Sequence, residues 1–96
     1  MADITHTHQA RDDLKAMWRT GYEQWGEGQA DAYFDLRSAA IDRLAEFPEM
    51  GRSRGDVRAG YRSLAVRQHL VFYTFAGELV TVRRLLPAGM DHERLM

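Results

Sequence analysis

Four histidines are the side chains in this sequence best suited to bind a metal or transfer a proton. His6 and His8 are two positions apart, so on a strand both would project to the same side, a spacing that can bind a metal. The chain has no Cys to complete such a site. We therefore interpret His6 and His8 as exposed polar residues at a strand-to-helix junction, and predict no metal site and no cofactor.

The other two histidines do not indicate catalysis. His69 lies in a strand pattern, where we expect it to be packed or hydrogen-bonded. His92 stands beside Glu93 near a chain end that we expect to be mobile, and it resembles an acid–base pair only by adjacency. The remaining acids and bases are scattered, without the convergent arrangement that an active site needs. We predict no catalytic residue and interpret the protein as one that acts by binding another protein.

Arginine is the residue type most suited to that binding. Lys15 is the only lysine, and the planar guanidinium of Arg forms bidentate contacts with carboxylate or phosphate. Arg62, Arg67 and Arg84 lie on or beside predicted strands, where a partly buried guanidinium is costly unless it is paired. Either an acidic residue of this chain or an acidic partner must pair with each. Three arginines of a polar connection are predicted to be solvated instead, namely Arg52, Arg54 and Arg58.

Charge is divided unevenly between the two halves of the chain. Residues 1–50 contain ten Asp or Glu and five Lys or Arg, whereas residues 51–96 contain four and eight. The basic half contains the predicted sheet, which favours an acidic protein or a phosphate as partner of that side. The net charge of -1 argues against binding nucleic acid by counterion release, so we predict no sequence-specific DNA binding.

Two helices are predicted to cover the sheet. Apolar residues recur three and four positions apart over residues 8–25, after Thr7 as N-cap, and the glycines at 26 and 28 end this helix. A second such pattern over residues 30–47 ends before Pro48. The short link between them requires an antiparallel helical hairpin. The large aromatic residues on these stripes are predicted to lie in the core: Trp18, Trp25, Tyr33 and Phe34.

The sheet is predicted to be a three-stranded antiparallel meander. Residues 60–66, 69–75 and 79–86 are rich in Val, Leu, Phe, Tyr and Thr, and Ala76-Gly77 supplies a tight turn. A brief strand over Asp3–His6 precedes the helices. Pro87-Ala-Gly89 is expected to break the last strand, and residues 90–96 to form a short helical segment.

These elements form one α+β domain over residues 1–96, a helical hairpin packed on a small antiparallel β-sheet with a short C-terminal helical segment. A chain of 96 residues has room for only one domain. The absence of Cys is compatible with a reducing compartment. The first six residues lack a signal pattern, and no apolar run approaches about 18 residues. We therefore predict a cytoplasmic protein with no membrane segment.

Five short motifs occur in an order that resembles a known family. They are Trp25-Gly26 with Gln29-Ala30 and Tyr33, Leu44-Ala-Glu-Phe-Pro48 with Gly51-Arg52, Ala59-Gly60-Tyr61-Arg62, His69-Leu-Val-Phe-Tyr73, and Arg84-Leu-Leu with Met90-Asp91. Each motif alone is weak. Together, in register over nearly the whole chain, they resemble the ParE branch of the RelE/ParE toxins, whose fold is the one that the periodicities predict.

The resemblance implies the toxin of a type II toxin–antitoxin system, neutralised by direct binding of a ParD-like antitoxin in a hetero-oligomer and acting on DNA gyrase. We expect the toxic surface in the segment from Arg84 through Met90 to Met96, because Met90 is an adaptable apolar side chain flanked by polar ones. The residues predicted to contact antitoxin or target are Arg62, Arg67, Arg84, Met90, Asp91, His92 and Arg94.

Two alternatives to this function remain. Pro87 stands where the family commonly has a histidine, which leaves open a toxin homologue with weakened activity. The RelE branch of the family consists of ribosome-dependent mRNA endonucleases, and this is the second interpretation of the chain. Ala65 occupies the strand position where that branch tends to carry an Arg, and a methyl group can neither bind a phosphate nor stabilise its developing charge.

Overall fold

The computed structural model describes residues 3–95, apart from the side chain of Leu95. The chain begins with β1 (Asp3–His6), α1 (His8–Trp25) and α2 (Glu27–Glu46). It continues through β2 (Arg52–Ser53), β3 (Arg62–Val66), β4 (His69–Ala76), β5 (Leu79–Pro87) and α3 (His92–Leu95). Met96, predicted to belong to the C-terminal helical segment, and the first two residues lie outside the described part.

The predicted helical hairpin is confirmed. Thr7 caps α1, since its hydroxyl oxygen accepts a hydrogen bond from the Ala10 N–H at 3.1 Å. The same hydroxyl donates to the Arg83 carbonyl at 2.8 Å and so ties the start of α1 to β5. Gly26 alone links the two helices with a φ of 87°, a conformation that only glycine adopts readily. The second helix therefore begins at Glu27, three residues earlier than predicted.

The predicted α+β fold is also confirmed. The sheet has five strands and is larger than the predicted three-stranded meander. The strands lie in the order β1-β5-β4-β3-β2. The β3–β4–β5 meander is antiparallel, but β1 pairs with β5 in parallel, so the sheet is mixed. The polar connection contributes β2, two residues paired with β3. As predicted, the last strand stops at this point: β5 ends at Pro87, opposite His69, one residue beyond the predicted end. The missing N–H of Pro87 is tolerated there.

The helices cover one face of this sheet. The core there combines Ala10 of α1 and Ile41 of α2 with four strand residues, Val66, Val71, Val82 and Leu85. A second cluster joins Leu44, Tyr73 and Val80. The prediction that Trp18 and Trp25 belong to the core is wrong, since their side chains are 37% and 61% exposed. Tyr33 and Phe34 are half-buried.

Phe72 lies on the other face of the sheet, because side chains alternate along β4 and its neighbours Val71 and Tyr73 face the helices. Phe72 is nevertheless fully buried. The guanidinium of Arg54 lies 5.3 Å from the Phe72 ring centre, and the His92 ring lies 5.0 Å from it. His92 is only 7% exposed, and its Nε2 donates to the Pro87 carbonyl at 2.9 Å. Two predictions are thereby corrected: Arg54 is not a purely solvated side chain, and His92 packs against the sheet.

Candidate partner-binding groove

A groove of about 820 Å³ lies between the helical hairpin and the sheet. Its lining comes from α1, the first two turns of α2, the turn between β3 and β4, the end of β5, and Met90. The exposed surface of the lining is mainly apolar, and its large apolar side chains include Met17, Trp18, Trp25 and Met90. None of the helices in the described part of the chain is both long and apolar enough to cross a bilayer. The mainly apolar lining makes the groove a candidate binding surface.

Small residues let the two helices approach closely beside the groove. Gly21 is buried, and a Cβ at this position would lie 3.6 Å from the Cβ of Ala30, in ordinary contact. The two tryptophans of α1, Trp18 and Trp25, lie at the rim of the groove. Trp18 stacks on Tyr22 with ring centres 5.2 Å apart, and its indole N–H donates to Asp31 at 3.3 Å. Exposed aromatic side chains held beside a groove are typical of protein interfaces.

An ion pair forms one wall of the groove. The Asp13 carboxylate accepts hydrogen bonds from Arg84 Nε at 2.7 Å and Nη2 at 3.1 Å, and from the backbone N–H of Leu85 at 3.0 Å. Strand β1 ends at His6, opposite Val82, so beyond that point Asp13 of α1 takes over a backbone donor of β5. The hydrogen bond that Arg84 donates to Asp13 raises the pKa of Arg84 above its ordinary value.

We expect Asp13→Asn to reduce the free energy of unfolding by about 2–3 kcal/mol, because the substitution replaces a carboxylate that accepts three hydrogen bonds, two of them from a guanidinium. Urea titration followed by circular dichroism measures this change. Asp12→Asn is the matched control, since Asp12 is exposed on the same turn and should change the free energy by less than about 0.5 kcal/mol. If the two substitutions change the free energy of unfolding equally, the hydrogen bonds of Asp13 to Arg84 and Leu85 do not stabilise the protein.

A second polar cluster lies where α2 meets the β3–β4 turn. The Tyr33 hydroxyl donates to the Val66 carbonyl at 2.6 Å and lies 2.7 Å from His69 Nδ1. Because the hydroxyl proton is engaged, His69 Nδ1 donates to the Tyr33 oxygen and, in the neutral ring, Nε2 is the free acceptor. Burial lowers the pKa of His69 and raises that of Tyr33. The prediction that His69 is hydrogen-bonded is confirmed.

The structure brings three of the seven predicted contact residues to the groove, namely Arg67, Arg84 and Met90. Arg62 lies away from it and donates to the carbonyls of Glu49 and Gly51 at 3.2 Å and 2.8 Å. Asp91 and Arg94 are exposed near the chain end, whereas the buried His92 cannot offer the exposed polar contact expected of it.

The tryptophans of the groove are the residues that sequence reasoning missed. Trp18 and Trp25 satisfy the same periodicity as core residues, so the pattern carries no signal that separates the two locations. Ala65 is exposed, pairs with Leu70, and does not line the groove.

The fold and the groove define a small α+β domain with an apolar groove, and comparison with known proteins identifies its family. A family model described as "ParE toxin of type II toxin-antitoxin system, parDE" matches residues 4–92. The chain is 38% identical over 86 residues to Toxin ParE1 of Mycobacterium tuberculosis, with 88% of each chain covered. It is 36% identical over 85 residues to Toxin ParE1 of Caulobacter vibrioides, again with 88% of each covered. The chain therefore belongs to the ParE toxins of type II toxin–antitoxin systems.

Solved structures share the fold at lower identity. The structure described as "Chromosomal ParDE TA system from P. aeruginosa" superposes with a TM-score of 0.78 at 18% identity, covering 91% of this chain and 96% of that one. The E. coli DinJ–YafQ complex superposes with a TM-score of 0.67 at 14% identity, covering 91% and 93%. The predicted family and fold are thus confirmed.

Proposed function

We propose that this toxin is neutralised in the cytoplasm when a ParD-like antitoxin places the apolar face of a helix in the groove, forming a hetero-oligomer. The observation that carries the proposal is the groove itself, an apolar channel of about 820 Å³ with Trp18, Trp25 and Met90 exposed along it. Such a channel suits the helix-in-groove mode of recognition. The match to a parDE family and a fold neighbour described as a ParDE system support the choice of partner.

The toxic activity that we propose is inhibition of DNA gyrase by binding, without catalysis of a reaction. The polar groups lining the groove support this choice, because Asp13 and Arg84 are paired with each other and His69 Nδ1 is bonded to Tyr33. Met90 lines the groove, so an antitoxin there would cover part of the segment in which we place the toxic surface. In this proposal the antitoxin neutralises the toxin by covering the surface that would otherwise contact gyrase.

Two assays test the proposal. The toxin is co-expressed with the product of the adjacent reading frame, and we expect the two to co-purify as one complex. Purified toxin is then expected to inhibit supercoiling by DNA gyrase and to leave mRNA on translating ribosomes intact. Failure to co-purify would refute the antitoxin assignment. Intact supercoiling together with mRNA cleavage would support the RelE-type endonuclease, and no growth inhibition on expression would indicate a weakened homologue.

A further inference from the structure

Arg62, Arg67 and Arg84 are the three arginines predicted to bind a partner from the sheet side. Among the described residues, only Arg67 of the three has no side-chain hydrogen bond or ion pair. Arg62 donates to two backbone carbonyls, and Arg84 pairs with Asp13. Arg67 lines the groove and is exposed, and in the part of the chain that the structure describes no hydrogen bond or ion pair engages its guanidinium. Its charge is therefore available to a ligand in the groove.

The backbone at Arg67 is strained. Val66 pairs with His69, so Arg67 and Gln68 form a two-residue turn between β3 and β4. Arg67 has a φ of 53° and is the one residue other than glycine with positive φ among residues 3–95. A two-residue turn with positive φ at its first position normally has glycine there, because a Cβ crowds the backbone. Arg67 therefore has a backbone conformation that is unfavourable for a residue with a side chain. Such strained residues are often found at binding sites.

Among the described residues that line the groove with Arg67, no carboxylate is left unpaired. Burial raises the pKa of Tyr33, and the guanidinium of Arg67 lies near enough to oppose that rise. His69, on the adjoining strand, holds its Nδ1 toward Tyr33. Asp13 is the one acidic side chain among those lining the groove, and Arg84 occupies it. This end of the groove thus presents unbalanced positive charge beside an apolar channel.

We propose that Arg67 is the electrostatic anchor of the groove and binds an Asp or Glu carboxylate on the helix that occupies it. The inference rests on the proposed function and adds the chemistry of the partner: an apolar helix face with an acidic side chain at the end that meets the β3–β4 turn. A guanidinium favours this ligand because it donates two parallel hydrogen bonds to a carboxylate. The strained turn holds the guanidinium at the end of the channel.

The test exploits opposite effects of one substitution on stability and on binding. Arg67→Gly removes the crowded Cβ, so we expect the Tm to rise by about 2–5 °C. The same variant should bind the purified product of the adjacent reading frame about tenfold more weakly in 50 mM salt, and the difference should shrink in 500 mM salt because salt screens exposed charges. Arg67→Lys, which keeps the charge and loses the bidentate geometry, should recover part of the affinity.

Arg58→Gly is the control, because Arg58 is an exposed Arg in the connection before β3 and does not line the groove. It should bind as the unchanged protein does at both salt concentrations. An Arg67→Gly variant that binds with unchanged affinity, or a loss of affinity that neither salt nor Arg67→Lys alters, would overturn the anchor while leaving the groove assignment intact. If the unchanged protein itself fails to bind this probe, the proposed function fails and the anchor with it.

Discussion

Gly51→Ala is expected to lower the free energy of unfolding by about 3 kcal/mol and the Tm by roughly 15 °C, a large share of the stability of a domain this small. A Cβ at Gly51 would lie 2.7 Å from Cε1 of Tyr73 and 2.9 Å from the backbone oxygen of Ser63, and closer still to the Tyr73 hydroxyl. Tyr73 is fully buried, and its hydroxyl accepts from the Gly51 N–H and donates to the Pro48 carbonyl at 2.9 Å and 2.7 Å. Neither side of this contact can move without losing those hydrogen bonds.

Gly55→Ala is the matched control for this substitution, since a Cβ at Gly55 meets nothing within 4 Å. We expect it to change the free energy of unfolding by less than about 0.5 kcal/mol. Thermal and urea unfolding followed by circular dichroism measure both variants. If Gly51→Ala unfolds at the same urea concentration as Gly55→Ala, the close contact between Gly51 and Tyr73 does not contribute to stability as we expect.

Trp25→Ala is expected to weaken antitoxin binding by about 30- to 1,000-fold while leaving the fold unchanged, because a tryptophan buried on association commonly contributes about 2–4 kcal/mol to an interface. Trp25 lines the groove at the end of α1 and is 61% exposed in the free protein. Its exposure means that truncation removes little intramolecular packing. Isothermal titration with the purified antitoxin measures the loss, and circular dichroism verifies the fold.

Phe47→Ala provides the comparison for Trp25→Ala. Phe47 is also aromatic and is 56% exposed, but it caps the opposite end of α2, about 30 Å away along a helix of 20 residues. We expect this variant to bind the antitoxin as the unchanged protein does. Equal losses of affinity from the two substitutions, or no loss from Trp25→Ala, would place the antitoxin elsewhere than in the groove.

The helices and the meander could be predicted because each depends on residues close together in the chain. Thr7, Gly26 and Pro48 act on the backbone within one turn of a helix, and Gly77 supports a turn between adjacent strands. Two features of the sheet could not be predicted in the same way. The pattern at Asp3–His6 indicates a strand but not its parallel partner β5, more than 70 residues away, and β2 is too short to show a period.

The sequence by itself also determined the family and the set of arginines and apolar residues from which a binding surface could be built. Only the tertiary structure decided which of them face a partner. Arg62 and Arg84 are paired internally while Arg67 lines the groove, and Trp18 and Trp25 lie at its rim while His92 is buried. The reason is physical: periodicity assigns a residue to a face of its own element, but its burial and its ion pairing depend on which distant residues pack against that face.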